Sequence, residues 1–390
     1  MSAGDVALAA ASVPFAASAG YLGALAAGAW FDRRGTPADG PGATRFTILI
    51  PARNEARTLP RLFGSLDRLD YDRGRWRALV VADNCDDDTG AVARAFGATV
   101  IERRDRKRIG KGYALAYGLA HVAWDDTDAV LFLDADCIAD GRLLRAIDAR
   151  LSHGAEAVQA YYTMRPATPA GGVRLREVAL ALVHDVRARG KRWYGGSAGI
   201  KGAGMCMTAE TLRRVPWRAT GLAEDIEYHV ALLRAGIRVD YAPETTVVGL
   251  APAAQQGAGG QHRRWEAGRF DAMRRHALPL VVDAVRHRRI ASLDAAIELL
   301  VPPLSVVALG LAAVTAAAAA FGPRWLAVAD TAALAMLAAY IATGFASARM
   351  SPRETAAALA AAPAFVAWKA VLYARALITR PSSWEPTARE

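Results

Sequence analysis

Two aspartates one residue apart, Asp134 and Asp136, directly follow an apolar run at 129–133. A second carboxylate-bearing turn, with Asp83, follows the run at 78–81, and a third, with Glu55, follows 46–50. Carboxylates brought to one edge repel each other unless a cation or donor groups relieve them, so the pattern points to a divalent metal. An Asp-x-Asp pair alone carries little, because solvated pairs at turns are common. A buried strand before it and two similar turns beside it give it weight. Arg103, Arg104, Arg106, Lys107 and Arg108 precede Gly110-Lys111-Gly112 and a helix starting near Tyr113. Glycines let backbone approach a phosphate, and Lys111 adds a point charge at a helix start. A basic run by itself is ordinarily a solvated face; the flanking glycines set Lys111 apart. Asp86, Asp87 and Asp88 read as a solvated turn capping the next helix.

The elements that must position these groups are runs 46–50, 78–81, 98–101 and 129–133, alternating with helical patterns. Short, fully apolar strands between amphipathic helices predict an α/β fold with a mostly parallel, buried sheet. Ligands in such sheets bind beyond the carboxyl ends of the strands, where the carboxylates lie. With 390 residues, 53% hydrophobic and 22% charged, the chain is neither disordered nor fibrous and exceeds one compact core. A net charge of +10 suits nucleic acid, anionic lipid or a phosphorylated substrate. The basic run at 103–108 has no interleaved aromatics, which argues against nucleic acid. Cys85, Cys137 and Cys206 show no CxxC spacing and the histidines no ligand spacing, which argues against a structural zinc site or a disulfide scaffold; Cys137 and Cys206, beside motifs, read as small buried hydrophobes.

Residues 6–30 carry no charge, and the basic pair Arg33 and Arg34 comes directly after them. An uncharged run of this length predicts a transmembrane helix, and the basic pair places the chain beyond Arg33 in the cytoplasm. Residues 299–321 and 325–348, joined at Gly322-Pro323-Arg324, predict a helical hairpin. Its one acid, Asp330, lies near an end and is expected to reach the interface. The stretch 356–378 either lies in the interface or makes a fourth crossing; Lys369 and Arg375 favour the interface. Arg274, Arg275, Arg286, His287, Arg288 and Arg289 flank Leu278, Leu280 and Val281, as in helices resting on an anionic leaflet.

The series from Pro51-Ala52-Arg53-Asn54-Glu55 through Asp83, Gly110-Lys111-Gly112 and Asp134-Ala135-Asp136 resembles a family 2 glycosyltransferase of the GT-A fold. Downstream, Gly202-Ala203-Gly204-Met205-Cys206, Leu222-Ala223-Glu224-Asp225 and Gln261-His262-Arg263-Arg264-Trp265 are similar to acceptor-side motifs of its membrane-bound processive branch. That branch includes synthases of cellulose, hyaluronan and poly-N-acetylglucosamine. The resemblance covers residues 46–270. It implies that Pro51, Ala52 and Glu55 line a nucleoside pocket, with Asp83 near the uracil of a UDP-sugar. Lys111 and Asp134 would contact the donor, and Asp136 would bind Mg²⁺ or Mn²⁺. Asp225 would be the general base with Glu224 beside it, while Gln261, Arg264, Trp265 and Gly204 would hold diphosphate and acceptor sugar.

The chemistry agrees with those roles. Glycosyl transfer needs a neutralised diphosphate leaving group and a hydroxyl stripped of its proton; metal and Lys or Arg supply the first, a carboxylate the second. The expected organisation is a transmembrane helix at 1–32, a cytoplasmic GT-A domain at 43–270 and interface helices at 271–297. A transmembrane hairpin at 298–348 comes next, then an interfacial or fourth membrane helix and tail at 349–390. The expected role is building a cell-surface glycan at the inner membrane, on a growing polymer or a lipid-linked acceptor. Three or four spans are few for a polymer channel, so a second protomer or an export subunit completes one, or the product stays short and lipid-linked. A non-catalytic nucleotide-sugar-binding subunit is disfavoured because Asp136 and Asp225 are both present. A metal phosphohydrolase leaves the Gln261–Trp265 segment unexplained.

Overall fold

The structure, a computed structural model, describes residues 2–32, 35, 40–165, 171–250, 255–348 and 350–378. For 171–173, 255–264 and 370–378 it describes the backbone alone. The chain divides into two compact units. One gathers Arg34–Thr168 and Gly196–Ala296 around a sheet; the other gathers Met1–Arg33, Pro169–Gly195 and Ile297–Thr379 and is helical.

The sheet has eight strands: β1 (Phe46–Ala52), β2 (Trp76–Asp83), β3 (Thr99–Arg103), β4 (Ala129–Phe132), β5 (Ile138–Ala139), β6 (Ala157–Arg165), β7 (Met205–Thr208) and β8 (Val239–Leu250). Their order is β3-β2-β1-β4-β7-β6-β8-β5. The first four run parallel, with Ile48 level with Ala78 on one side and Leu131 on the other. Beyond β4 the sheet is mixed: β7 runs antiparallel to β4 and β6, and β5 antiparallel to β8. The expected mostly parallel sheet therefore holds for the half that carries the carboxylate turns. Helices explain why these strands read as continuous apolar runs, since both faces are covered. Leu49, Val81, Leu115, Val130 and Phe132 share one buried cluster with Met205, Met207, Trp217 and Tyr228. Each such side chain stabilises the fold by about 1.5–3 kcal/mol. Trp217 stacks on Phe132 at 5.7 Å and donates its indole N–H to the Ala219 carbonyl, which fixes the chain leading to the 220s.

In the helical unit, Ala3–Phe31, Leu304–Phe321 and Arg324–Ser347 are long and apolar enough to cross a membrane. The expected span at 299–321 begins later, at Leu304, because Pro302 and Pro303 separate it from the helix Ile290–Leu300. Gly322 and Pro323 separate the helices Leu304–Phe321 and Arg324–Ser347. Asp330 departs from expectation: it is 1% exposed and accepts a hydrogen bond from the Ser12 hydroxyl at 3.0 Å. A partner from the first helix satisfies it inside the unit, so it has no need to reach an interface.

The larger correction concerns residues 171–193, which fall inside the expected 43–270 domain yet pack with the helical unit. They form one continuous run, α-helical at Gly171–Ala181, π-helical at Leu182–Val186 and α-helical again at Arg187–Trp193. Val178, Leu182 and Val186 are buried with Ala19, Leu22 and Ala26. The two helices touch at Gly190, where a Cβ would overlap the Leu25 carbonyl. The segment reads as soluble because Arg187, Arg189, Lys191 and Arg192 crowd its end, and pairing neutralises them. Arg187 lies 3.4 Å from Glu298 and Arg192 2.8 Å from Asp32, Lys191 also meets Glu298, and Arg189 pairs with Asp185.

Candidate active site

The carboxyl ends of β1 and β2 are adjacent, with Pro51 level with Val81 and Ala52 with Ala82. Beyond them the two turns are laced together. Asn54, at φ 56°, accepts the Asp86 amide at 2.8 Å, and the Glu55 amide donates to the Thr89 hydroxyl at 2.8 Å. Asp87 accepts the Thr89 and Ala56 amides at 3.0 and 3.2 Å. Partial burial works against its carboxylate, but the Thr89 hydroxyl and these amides hold it below the ordinary range. Asp87 is thus a bridge between turns, and Asp88, at the start of the helix Thr89–Ala95, makes no side-chain cap bond.

Asp83 ends β2 and is buried. Its Oδ1 accepts from the Arg103 guanidinium at 2.6 Å and from the Asn84 amide at 2.9 Å. Burial raises the Asp83 carboxyl, and Arg103 only partly offsets this. Arg103 is 6% exposed and also donates to the Arg108 carbonyl at 2.7 Å, whereas Arg104, Arg106, Lys107 and Arg108 are exposed. No residue type sets one member of the basic run apart from the others. The nearest signal is position: Arg103 ends a strand paired with β2, level with Asp83.

Asp134 and Asp136 follow β4. With Cys137 they present ligand atoms within 4.8 Å of one another. Burial and then the two aspartates push the Cys137 thiol well up, so it stays neutral. The carboxylates are the available donors, and hard oxygen ligands from one or two carboxylates fit Mg²⁺ or Mn²⁺ completed by substrate phosphates. Asp134 also pairs with Lys111, the first residue of the helix Lys111–Leu119. The same ammonium donates to the Gly202 carbonyl at 2.9 Å and stands 3.9 Å from Glu224. Burial disfavours the charge, but Asp134, Glu224 and Asp225 outweigh it and keep Lys111 protonated. Gly112 has a different use from the one expected. A Cβ there would overlap the Ala219 carbonyl, so its missing side chain admits protein backbone and not a phosphate.

The loop that supplies the Gly202 carbonyl is held by Gln159, which is 1% exposed. Its Oε1 accepts the Lys201 amide at 2.9 Å and its Nε2 donates to the Ala203 carbonyl at 2.8 Å. Gly202 lies between these two anchors. Nothing in the local sequence marks Gln159, which comes from β6 across the sheet. Gly204 is a packing position: its amide donates to Phe132, its carbonyl accepts from Ala160, and a Cβ would stand 3.0 Å from Val247. Both backbone groups are used within the sheet, so the expected acceptor role for Gly204 is not what its surroundings provide.

Glu224 and Asp225 open the helix Glu224–Arg234, and Asp225 accepts the Ile226 amide at 2.8 Å. Burial pushes both carboxyls above their ordinary range, against the pull of Lys111. The helix Gln255–His287 packs beside this point: a Cβ on Gly268 would stand 2.9 Å from that of Ala223. Trp265, one turn earlier, is 38% exposed. The side chains of Gln261 and Arg264 lie outside the described residues. Lys111, Asp134, Gly202 and Glu224 are therefore brought together, with Asp136 and Asp225 adjoining, and Glu55 and Asp83 stand on the neighbouring strand ends.

Comparison with known proteins places the chain among glycosyltransferases. The chain is 32% identical over 102 residues to 4,4'-diaponeurosporenoate glycosyltransferase of Staphylococcus haemolyticus (strain JCSC1435), covering 25% of this chain and 26% of that one. It is 36% identical over 95 residues to the enzyme of that name from Staphylococcus aureus (strain MRSA252), covering 23% of each. The chain thus spans about a quarter of the length of these curated relatives. The solved structure of mannosyltransferase PcManGT from Pyrobaculum calidifontis, in complex with GDP-Man and Mn²⁺, matches with a TM-score of 0.57 at 19% identity. That match covers 87% of this chain and 98% of the other, and it shows a shared fold. The family described as "Glycosyltransferase like family 2" matches residues 41–268, more than half of the 390, and this chain belongs to it.

Proposed function

We propose that the protein is a membrane-embedded, inverting glycosyltransferase that moves one sugar from a nucleotide-sugar donor to a membrane-held glycan or lipid-linked acceptor. The observation that carries this reading is Lys111, whose ammonium joins Asp134 on one side to Glu224 on the other. One side is the natural seat of a leaving diphosphate, the other of an incoming hydroxyl. Asp134 and Asp136 would hold a Mg²⁺ or Mn²⁺ that, when bound, neutralises charge developing on the diphosphate. Lys111 adds to that neutralisation. Asp225, with Glu224 beside it, takes the acceptor hydroxyl's proton as its oxygen bonds to the anomeric carbon. The bond from that carbon to the phosphate oxygen breaks, its electron pair leaves with the nucleoside diphosphate, and the anomeric centre inverts. Pro51, Ala52, Glu55 and Asp83 are assigned to the nucleoside, most simply of a UDP-sugar. Trp265, Gln261 and Arg264 are assigned to the acceptor side on resemblance.

Membrane insertion is supported by the three long apolar helices, and a cytoplasmic active site by Arg33 and Arg34 after the first. Leu280 is buried and Val281 half-buried, so of the expected apolar positions Leu278 alone is exposed; with Val282 and Val285 it forms an apolar stripe beside Arg274, Arg275 and Arg286, which favours the interface reading of 271–297. Three such helices among the described residues favour transfer to a lipid-linked acceptor over conduction of a long polymer. A second protomer or an export subunit would be needed for the latter. The test is nucleotide release from a panel of UDP- and GDP-sugars by the full chain in lipid, with and without Mn²⁺. Release should occur with one donor, need the metal and disappear in Asp136→Ala and Asp225→Asn. Release that persists in both variants would refute the assignment, and a ladder of products would replace single transfer with polymerisation.

A further inference from the structure

The run at 171–193 neutralises its cations one by one. Arg174 meets Glu177 at 2.9 Å and also Glu354; Arg187 and Lys191 meet Glu298; Arg189 lies 2.8 Å from Asp185 and Arg192 2.8 Å from Asp32. Arg176 breaks the pattern. Among the described residues no carboxylate pairs with it, and its buried Nε has no acceptor. Its guanidinium carbon stands 5.9 Å from the ring centre of Trp368, on the helix Pro352–Ile378. The ammonium of Lys369, itself buried, stands 5.7 Å from the same ring. Two cations thus converge on one indole in a unit built of long apolar helices. A half-buried guanidinium without an anion is costly in such surroundings, and its neighbours show that the fold supplies carboxylates where it needs them.

We infer that Arg176, Trp368 and Lys369 form a binding site for the phosphate of an anionic membrane lipid. A guanidinium and an ammonium together match phosphate oxygens in charge and in donor number. Indole rings settle at headgroup level, and basic pockets between membrane helices take anionic headgroups. The site is built on residues apart from the proposed catalytic set, though it rests on the reading that this unit lies in a membrane.

The test uses the full chain purified in detergent, loaded with phosphatidylglycerol, with retained lipid counted by native mass spectrometry. Wild type should retain about tenfold more phosphatidylglycerol than Arg176→Gln, the loss expected for one charge-assisted contact. Arg324→Gln, an exposed arginine elsewhere in the unit, should behave as wild type. Equal retention by wild type and Arg176→Gln would overturn the site and leave membrane insertion standing. Failure of wild type to retain any lipid would overturn both. Excess inorganic phosphate separates the sources: no displacement supports a lipid, whereas displacement hands the site to free phosphate and overturns the lipid assignment. If Arg176→Gln does not fold, judged by its unfolding midpoint, Trp368→Leu carries the same comparison.

Discussion

The two units treat buried charge in opposite ways. Along 171–193 basic residues meet carboxylates from distant parts of the helical unit, Arg192 with Asp32 and Lys191 with Glu298, and the charges largely close on themselves. At the strand ends the balance is negative. Lys111, helped at Asp225 by Lys201, faces Asp134, Glu224 and Asp225, and burial pushes both carboxyls of the 224–225 pair up. A closed set of pairs holds helices together; a set short of positive charge is relieved by bound protons or by a cationic ligand. The difference separates structural charge from chemical charge, because site carboxylates are held at a disadvantage that a structural pair would not need.

Substitutions on each side should therefore fail differently. Asp225→Asn is expected to lower turnover by about 10²–10⁴-fold, the range for a lost general base, while its unfolding midpoint stays level or rises. A midpoint that falls along with turnover would make Asp225 a structural residue and erase the contrast. Next in size, Glu298→Gln removes the carboxylate that Arg187 and Lys191 share, and breaking a buried pair from one side costs about 3–5 kcal/mol. Unfolding in detergent should reveal that loss, with turnover per folded molecule nearly unchanged. Turnover falling in proportion would mean that the helical unit's charges also serve the chemistry.

One of these regions is far easier to read from sequence than the other. Carboxylate turns announce themselves because each follows a short apolar run, and strand order then carries Glu55, Asp83 and Asp134 to one edge. Arg103 and Gln159 escape because their roles depend on pairing across the sheet: Arg103 looks like any member of a basic run until β3 lies against β2. Residues 171–193 escape for the opposite reason. Their basic residues mask a helical period of Val178, Leu182 and Val186, and the acids that neutralise Lys191 and Arg192 lie more than a hundred positions away. Asp330 is the same case in miniature, since its partner Ser12 is 318 residues distant.

Gln159 offers an intermediate test, because it is a closed structural contact in the service of the open site. Gln159→Leu strands the Lys201 amide and the Ala203 carbonyl, at about 1–3 kcal/mol for a buried polar group left unmade. The Gly202 carbonyl then loses its fixed place beside Lys111. The expected result is a roughly tenfold fall in kcat/KM with a modest drop in midpoint. Loss of stability with unchanged kinetics would show that the loop's position is set elsewhere.

The smallest effect is also the most direct comparison, because pH should move activity and stability in opposite directions. Burial raises the Glu224 and Asp225 carboxyls in the folded chain above the ordinary value near 4. The folded state then binds protons that the unfolded chain has released. Their contribution to stability is full below the unfolded pKa and is lost as pH rises through the folded one. On the proposed mechanism activity has the reverse slope, since a general base at Asp225 must be unprotonated to accept the hydroxyl's proton. Turnover should climb with pH through an acid limb placed above the usual carboxylate range, while the unfolding midpoint declines over the same interval. In Asp225→Asn the decline should flatten. An acid limb at the ordinary value, or a midpoint that rises alongside turnover, would mean that the pair is not held at a disadvantage, and the distinction between the two units would lose its physical basis.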